Sequence, residues 1–341
     1  MRRELVCLRP SVPAALQVRQ APLPEPGHGE VRVRVQATSV NPIDARRASG
    51  YGQRLLSLKG AGRFPLVLGN DLVGHVQALG AGATGFAVGE RVFGLVGTGR
   101  RGGAHASHVV VPEAWLRPAP AGMAAAALAV LPYAFTTMWQ AVRSAGLHPG
   151  NAAGRKVLVL GAAGALGRLS LQLLSSWGCA VTAIASAGTP AECLALGASM
   201  ALERGPAVLG QLPDDFDAAL NFASWDEDIA LASRLGTTAL GQATTVHPLL
   251  GHFDRLGWLK GALACQHDKQ QVQAVVRQRC PTARYAWTIF KPDAQALDEL
   301  ATRVAATRIS LPVGLCTGLE QADSAFAHVA AGRPGRAVLI P

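Results

Sequence analysis

The chain opens with short apolar segments separated by turns and later changes to longer segments in which strands and helices alternate. Residues 31–35 (Val-Arg-Val-Arg-Val) alternate strictly between apolar and charged positions, which predicts a strand with one buried face. Further short strands are predicted over 65–69, 73–80 and 91–96, with glycines between them. Many short strands joined by glycine turns are typical of a barrel-like β domain.

A second pattern starts about halfway along the chain. The run 156–160 is continuously apolar after its lysine, as in a parallel strand that is buried on both faces. Apolar residues then recur at helical spacing over 166–177. Strands are predicted over 180–185 and 217–222, with a helix over 190–196 between them. This alternation predicts βαβ units and therefore a parallel sheet.

The end of the chain contains a predicted helix over 296–304 and a predicted strand over 336–340. We expect that last strand to return to the N-terminal β domain, so that a nucleotide-binding domain is inserted into a split β domain. The predicted bounds are 1–125 for the β domain and 126–270 for the nucleotide-binding domain. Residues 271–341 complete the nucleotide-binding domain and return to the β domain.

Composition narrows the classes of protein that fit. With 341 residues, 49% of them hydrophobic, the chain is long and apolar enough for two domains with buried cores. The formal net charge is +10, but the arginines are scattered and no basic block is interleaved with aromatic residues. We therefore predict no nucleic-acid partner. Residues 123–138, the most apolar stretch, are interrupted by Pro132 and short for a bilayer span, so no membrane partner is predicted.

The six cysteines are spaced unlike either a redox pair or a zinc site, which favours a reducing compartment. Residues 1–10 contain two early arginines but also Glu4, and no apolar segment follows them. This pattern predicts a first strand instead of a targeting peptide, and hence a cytoplasmic protein.

The strongest chemical signal is a glycine-rich turn between the predicted strand 156–160 and the helix after it. Its three glycines are spaced by three: one suits a tight turn, one lets the backbone approach a pyrophosphate, and one lets the helix pack closely. The helix N-terminus adds N–H groups and a positive dipole end. A purely structural turn is the alternative. The predicted contacts to a dinucleotide are Gly161, Ala163, Gly164, Ala165, Leu166 and Gly167.

The segment after the second strand of this domain bears on the choice of cofactor. NAD sites usually carry an acidic residue there for the ribose 2′-hydroxyl, but residues 185–189 are Ala-Ser-Ala-Gly-Thr. The absence of a carboxylate favours NADPH, with Ser186 and Thr189 as hydroxyl donors to the phosphate. Arg204 either supplies the positive charge or is a solvated surface residue.

Several further motifs occur in a characteristic order: 24–31, Asn41-Pro-Ile-Asp44, Leu68-Gly-Asn-Asp71 with Gly74, 89–94 and 196–198. With these, essentially the whole chain resembles the zinc-free quinone-oxidoreductase branch of the medium-chain dehydrogenase/reductase superfamily. A closer likeness, to the reticulon-interacting mitochondrial NADPH oxidoreductases and their bacterial relatives, rests on 40–44 with 49–52, 64–71 and 254–257. The resemblance implies an α/β fold, with a Rossmann doubly wound parallel sheet domain plus a GroES-like β-barrel domain, and a homodimer.

The same resemblance bears on metal binding. Zinc alcohol dehydrogenases resemble this chain but carry a cysteine at the position of Asn41 and a histidine at that of Asn70. An amide is a poor zinc ligand beside thiolate and imidazole. His105 and His108 are spaced by three, yet no third ligand is evident. We therefore predict that the chain binds no metal.

The activity implied by the resemblance is hydride transfer from NADPH to a quinone or an α,β-unsaturated carbonyl. Asn41 is expected beside the nicotinamide ribose and the substrate. Where many relatives have a tyrosine two residues after the aspartate, this chain has Arg46. Tyr51 or a bound water is then the proton donor, with Arg46 as a group that polarises the carbonyl oxygen; the alternative for Tyr51 is a packed loop aromatic. The catalytic candidates are thus Asn41, Arg46 and Tyr51. Further cofactor contacts are implied at Thr137, Asn221, Phe222, Ala223, Thr245, Phe290 and Lys291.

Two other functions fit the same residues. One is an enoyl-thioester reductase, since the basic charge suits an acidic carrier protein or coenzyme A. The other is an NADPH-binding protein without catalytic activity, which the arginine at position 46 leaves open. The acceptor itself, a small quinone or enone in the first hypothesis, is not identified by the sequence.

Overall fold

The computed structural model of the protein describes residues 1–99 and 102–341. It comprises two compact units, each with its own kind of sheet. The first unit comprises Met1–Tyr133, Phe253–Gly257 and Lys291–Pro341. The second unit comprises Ala134–His252 and Trp258–Phe290. The short piece Phe253–Gly257 thus lies with the first unit, although its neighbours in sequence lie with the second.

The first unit is built from mostly antiparallel strands. They are β1 (Arg2–Cys7), β2 (Leu16–Ala21), β3 (Glu30–Val40), β4 (Leu66–Val67), β5 (Asp71–Leu79), β6 (Arg91–Leu95), β7 (His108–Pro112), β8 (Leu116–Pro118), β15 (Val313–Gly318) and β16 (Arg336–Ile340). Its helices are α1 (Pro42–Ala48), α2 (Gln53–Ser57), α3 (Ala125–Ala129), α11 (Ala294–Ala305) and α12 (Ala322–Ala330).

The long strand β3 organises this unit. One sheet runs in the order β15-β16-β3-β5-β6-β8, with β7 also paired to β3, and another runs β2-β1-β4. The alternation predicted over 31–35 is present, since the valines of β3 are buried and its arginines are more exposed. β16 pairs antiparallel with β3, with Val338 opposite Ser39. The last strand of the chain thus lies beside β3, in the sheet of the first unit.

The second unit contains a parallel sheet in the order β11-β10-β9-β12-β13-β14. This confirms the predicted doubly wound α/β arrangement. The strands are β9 (Lys156–Leu160), β10 (Ala180–Ala185), β11 (Met200–Glu203), β12 (Ala218–Asn221), β13 (Gly241–Thr244) and β14 (Arg284–Trp287). The helices are α4 (Pro132–Ser144, whose first two residues belong to the first unit), α5 (Pro149–Ala152), α6 (Ala165–Ser176), α7 (Pro190–Ala195), α8 (Val208–Gln211), α9 (Asp228–Ala232) and α10 (Leu249–Arg279).

Helix α10 is interrupted at Gly257. The backbone angles there are φ 80° and ψ −170°, which lie outside the helical region and in the half of the map that glycine tolerates best. The break coincides with the end of Phe253–Gly257, the piece of this helix that lies with the first unit.

The most apolar stretch of the chain is longer than the sequence pattern suggested. Ala125–Ser144 has 20 residues, and its most apolar 18-residue window has a mean hydropathy of 1.3, enough by length and composition alone to cross a membrane. However, 78% of its most apolar window is buried inside the protein. Burial of this extent is typical of helices in a protein core. The segment is therefore only weak evidence for a membrane span.

Leu158 offers a test of the packing around the parallel sheet. Its side chain is fully buried with Leu160, Ile184 and Tyr285 in the same apolar cluster. Leu158→Ala should lower the free energy of unfolding by about 2–5 kcal/mol, because it removes buried contacts and leaves a cavity. Urea unfolding followed by circular dichroism measures the change. Leu194→Ala, at a side chain that is 49% exposed, is the matched control; equal losses in both variants would contradict the described packing.

Candidate functional site

The glycine turn between β9 and α6 has backbone geometry that only glycine accommodates. Gly161 has φ 83°, a left-handed conformation. A Cβ on Gly167 would lie 2.3 Å from the Gly161 carbonyl oxygen, so α6 packs against the turn more closely than any larger residue allows. Gly164 caps α6 without any side-chain acceptor for its first N–H groups. The turn therefore presents bare backbone and a helix N-terminus to an anionic group.

Two neighbouring segments hold this turn in place. The N–H groups of Gly161 and Ala162 both donate to the carbonyl oxygen of Ile184 in β10, at 2.9 and 3.0 Å. On the other side, a Cβ on Gly161 would lie 3.0 Å from the carbonyl carbon of Phe222 and 3.1 Å from the Cβ of Ala223. The structure thus brings the turn together with the predicted contacts that follow β12, at the carboxyl end of the sheet.

Asn221 shapes the turn that follows β12. Its Oδ1 accepts from the N–H groups of Ala223 and Ser224, at 3.0 and 3.3 Å. Its Nδ2 donates to the Ser224 carbonyl oxygen and to Asp228 Oδ1, at 2.7 and 2.8 Å. The buried side chain therefore acts on the backbone of the predicted cofactor groove and is itself held by Asp228.

Asp228 is the centre of a buried polar network that the sequence pattern did not reveal. The Tyr285 hydroxyl donates to Asp228 Oδ2 at 2.5 Å, and Trp287 Nε1 donates to the Tyr285 oxygen at 2.9 Å. Burial raises the pKa of Asp228, and its hydrogen bonds with Tyr285 and Asn221 oppose that rise. Burial and the Asp228 carboxylate raise the pKa of Tyr285, which keeps the hydroxyl protonated as a donor.

Charged residues from the end of β11 and the position after it contact the segment that follows β10, which the sequence of that segment does not reveal. Arg204, expected to supply a positive charge, forms an ion pair with Glu227 and donates its backbone N–H to Ala185 at 2.7 Å. Ser186 is exposed in this segment. Glu203, at the end of β11, accepts from the N–H of Gly188 at 2.9 Å. The adjacent strand thus brings a carboxylate to a segment that has none of its own.

The remaining predicted cofactor residues are distributed between the two units. The N–H of Thr245 donates to the Asn221 carbonyl oxygen at 3.1 Å, which places it beside the groove. Thr137 lies on α4 and is 6% exposed. Phe290 is the last residue of the second unit, and Lys291 belongs to the first.

In the first unit, Asn41 is fully buried in a hydrogen-bonded cluster. Its Nδ2 donates to Asp71 Oδ2 at 2.8 Å and to Ser39 Oγ at 3.0 Å. Its Oδ1 accepts from Arg336. Both amide hydrogens and the amide oxygen are therefore engaged by the protein, whereas the resemblance places Asn41 beside the nicotinamide ribose and substrate.

Asp71 is the charged acceptor of this cluster. It also accepts from the Ser39 hydroxyl at 2.5 Å and from the N–H of Tyr133 at 2.6 Å. Complete burial raises the pKa of Asp71 to about 6, and the hydrogen bonds and Arg336 oppose that rise. Burial lowers the pKa of Arg336, and the nearby Asp71 carboxylate opposes that shift. The sequence signal for Arg336 is a single arginine at the start of an otherwise apolar last strand.

Asp44, the last residue of the Asn-Pro-Ile-Asp motif, connects this cluster to β4–β5. Its carboxylate accepts from the N–H groups of Asn41 and Gly69, at 2.8 and 3.0 Å. Gly69 has φ 99°, and a Cβ there would lie 2.4 Å from the His105 ring. Burial lowers the pKa of His105, whose Nε2 lies 3.0 Å from the Ser39 carbonyl oxygen. A neutral His105 donates from Nε2 in this geometry.

The side chains considered as zinc ligands lie at hydrogen-bond distance from other groups of the protein. Asn70 donates to the Val96 carbonyl oxygen at 2.7 Å, and His108 Nδ1 lies 3.0 Å from Ser107 Oγ. Within residues 1–99 and 102–341, no group of three or more His, Cys, Asp or Glu side chains is arranged to hold a metal ion. The amides at positions 41 and 70 are poor zinc ligands, and the His105 Nε2 and His108 Nδ1 atoms lie at hydrogen-bond distance from protein atoms.

Arg46 and Tyr51 form a pair outside the buried cluster. The Arg46 guanidinium lies over the Tyr51 ring at 3.8 Å from its centroid, and the N–H of Tyr51 donates to the Arg46 carbonyl oxygen at 3.0 Å. The next residues are held by Asp254, which accepts from the N–H groups of Gly52 and Arg54 at 2.5 and 3.0 Å. Asp254 thus anchors the segment that carries Tyr51.

The raised pKa of Asp71 gives a testable pH dependence. In the unfolded chain this carboxyl ionises around its ordinary value of 3.8, whereas the folded protein retains the proton up to about 6. The stabilisation is therefore complete below pH 3.8 and is lost as pH rises through 6. We expect the unfolding free energy of the wild type, relative to Asp71→Asn, to fall by roughly 3 kcal/mol over that interval. Urea unfolding at several pH values measures it.

Taking the difference between the two proteins removes the contribution of His105, whose pKa is lowered by burial and whose effect on stability therefore changes with pH in the opposite direction. Asp215→Asn, at an exposed carboxylate paired with Lys156, is the control and should leave the slope unchanged. A pH-independent difference between the wild type and Asp71→Asn would contradict a protonated Asp71 in the folded protein.

The Asp228 network predicts an effect of Tyr285 on both stability and nucleotide binding. Tyr285→Phe removes the donor to Asp228 and the acceptor of Trp287, leaving buried polar atoms without partners. We expect an unfolding free energy lower by about 1–3 kcal/mol and weaker NADPH binding, because Asn221 loses its anchored partner. Urea unfolding and fluorescence titration measure these effects. Tyr51→Phe is the control for stability, and equal losses would contradict the role of the network.

Comparison with known proteins supports the fold described above. A family model described as the alcohol dehydrogenase GroES-like domain matches residues 27–121. The quinone oxidoreductase from Coxiella burnetii has a similar structure, with a TM-score of 0.81 and 22% identity over 100% of this chain and 99% of that chain. The CurK enoyl reductase gives a TM-score of 0.79 and 18% identity over 99% of each chain. At these identities the likeness concerns the fold alone.

A relative with higher identity is the mitochondrial NAD(P)H oxidoreductase RTN4IP1 of Danio rerio. It is 30% identical over 317 residues, which span 89% of this chain and 81% of the relative. Relatives of the same name from four further species are also called mitochondrial. The prediction of a cytoplasmic location from residues 1–10 is therefore wrong, because relatives of this chain are mitochondrial proteins.

Three findings point to the same family. They are the identity and coverage with this relative, the match to the GroES-like domain and the similarity in fold. The chain therefore belongs to the medium-chain dehydrogenase/reductase superfamily, in the part of it that includes RTN4IP1.

Proposed function

We propose that this protein is a zinc-independent oxidoreductase that transfers a hydride from NADPH to a quinone or an α,β-unsaturated carbonyl. The observation that carries the proposal is the glycine turn, where Gly161, Gly164 and Gly167 leave bare backbone at the N-terminus of α6. The relatives named NAD(P)H oxidoreductases support a nicotinamide cofactor.

The residues of the second unit fit such a cofactor. The glycine turn would hold the pyrophosphate, and the Asn221–Ala223 turn, which packs on Gly161, would form the adjacent wall of the groove. The exposed Ser186 would donate to a 2′-phosphate. When bound, the reduced nicotinamide supplies the hydride.

The first unit would supply the proton and stabilise the oxygen of the reduced acceptor. Tyr51 carries an ionisable hydroxyl, and Arg46 and Asp254 hold its ring and backbone segment in place. We assign the donation of a proton to Tyr51 and the electrostatic stabilisation of the developing oxyanion to Arg46. The amide of Asn41 is engaged by Asp71, Ser39 and Arg336, so Asn41 acts in this proposal by positioning.

The donor atoms at the relevant positions support the proposed zinc independence. Asn41 and Asn70 offer amide groups that already bond to protein atoms. Stabilisation of the oxyanion therefore falls to charged and hydroxyl side chains in this proposal. We also propose a homodimer, which sedimentation velocity tests directly.

Oxidation of NADPH, followed at 340 nm, tests the proposal with 1,4-benzoquinone, a simple enone and crotonyl-CoA as acceptors. We expect turnover with the quinone or the enone, unaffected by a zinc chelator. Tyr51→Phe should lower kcat roughly 100- to 10,000-fold, because the general acid is removed, and leave NADPH affinity unchanged.

Faster turnover of crotonyl-CoA than of either other acceptor would favour an enoyl-thioester reductase instead. Tight NADPH binding without turnover of any acceptor would indicate a binding protein and refute the proposal. Loss of activity with the chelator, restored by zinc, would refute zinc independence alone.

A further inference from the structure

The segment after β10 is lined by a carboxylate from the adjacent strand. In the pairing of β10 with β11, Ala185 lies opposite Glu203. The Glu203 side chain continues past the end of the strand, and its Oε1 accepts from the N–H of Gly188 at 2.9 Å. Residues 185–189 therefore have a fixed acidic neighbour, although they contain no acidic residue themselves.

This carboxylate lies on the side of the sheet where a dinucleotide presents its adenosine ribose. The glycine turn is bonded to β10 through the carbonyl oxygen of Ile184, and Ser186 follows two residues later. In doubly wound folds the end of the second strand meets the ribose 2′ position, which is a hydroxyl in NADH and a phosphate in NADPH. Glu203 thus faces the segment at which the two cofactors differ.

The cations near this segment are already paired. Arg204 is bonded to Glu227, and Arg168 at the start of α6 is bonded to Glu192 in α7. In the part of the chain that the structure describes, Glu203 has no salt-bridge partner, and its recorded hydrogen bond is with a backbone N–H. Among these five charged side chains there are three carboxylates and two guanidinium groups, and Glu203 is the carboxylate without a cationic partner. A dianionic phosphate is repelled by that surplus, whereas a hydroxyl is not.

We propose that Glu203 is a specificity-determining residue that restrains the preference for NADPH, so that NADH is accepted as well. This inference rests on the proposed function in one respect, the binding of a nicotinamide cofactor at the glycine turn. It does not depend on the acceptor or on the proton donor. Glu203 takes the position of the acidic residue that NAD sites usually carry in the segment itself, but reaches it from the next strand.

Glu203→Gln provides the test, because the glutamine retains an oxygen acceptor for the Gly188 N–H and loses only the charge. Dissociation constants for NADPH and NADH are measured by fluorescence titration of the full chain at low ionic strength. We expect NADPH to bind about 3- to 10-fold more tightly to the variant, with NADH affinity unchanged or lower. The gain should decrease at high salt.

Two further variants separate charge from structure. Glu227→Gln releases Arg204 from its ion pair and should also favour NADPH, by a similar mechanism. Asp215→Asn removes one negative charge at the opposite end of the sheet, where Asp215 pairs with Lys156, and should change neither affinity. An equal gain in NADPH affinity from Asp215→Asn would show a net-charge effect and overturn the proposal.

An unchanged ratio of NADPH to NADH affinity in Glu203→Gln overturns the role of Glu203 and leaves the proposed function intact. Equal loss of affinity for NADPH and NADH in this variant also overturns the role of Glu203 in specificity, since Glu203 would then act only on the shape of the loop. If the wild type binds neither cofactor at millimolar concentration, the proposed function fails, and the inference fails with it.

Discussion

The close approach of α6 to the turn that precedes it is the constraint on which the second unit depends. Gly167 lies so near the Gly161 carbonyl oxygen that no side chain fits between them. The helix therefore starts directly over the end of β9, and its first N–H groups lie at the carboxyl edge of the sheet. Ile184 and Phe222 then meet the turn from the strands on either side. As a consequence, the surface at the start of α6 consists of backbone atoms and not of side chains.

Each unit supports its candidate residues with a buried polar network. In the second unit, Asp228 and Tyr285 hold Asn221 and through it the wall beside the glycine turn. In the first, Asp71 and Arg336 hold Asn41. Isolated buried charges are costly, but these carboxylates accept several hydrogen bonds each. Such networks specify the orientation of a side chain more strictly than apolar packing does, which suits residues that must position others.

Much of the architecture was predictable because it follows from local periodicity. The alternation at 31–35 predicted a strand with one buried face, the continuous apolar run at 156–160 predicted a buried parallel strand, and both strands are present. The glycine turn was predictable for the same reason, since its geometry depends on residues close together in the chain. The break of α10 at Gly257 was not predicted, because an isolated glycine is also tolerated inside a helix.

The sequence by itself determined the fold class, the glycine turn and the amides at positions 41 and 70. These are properties of single residues or of short segments with a regular period. Only the tertiary structure decided what the side chains contact: that Asn41 is engaged by Arg336, that Arg204 pairs with Glu227, and that Glu203 lies against Gly188. The physical reason is that hydrogen bonds and charges act through space, and strand order brings together residues that sequence separation conceals.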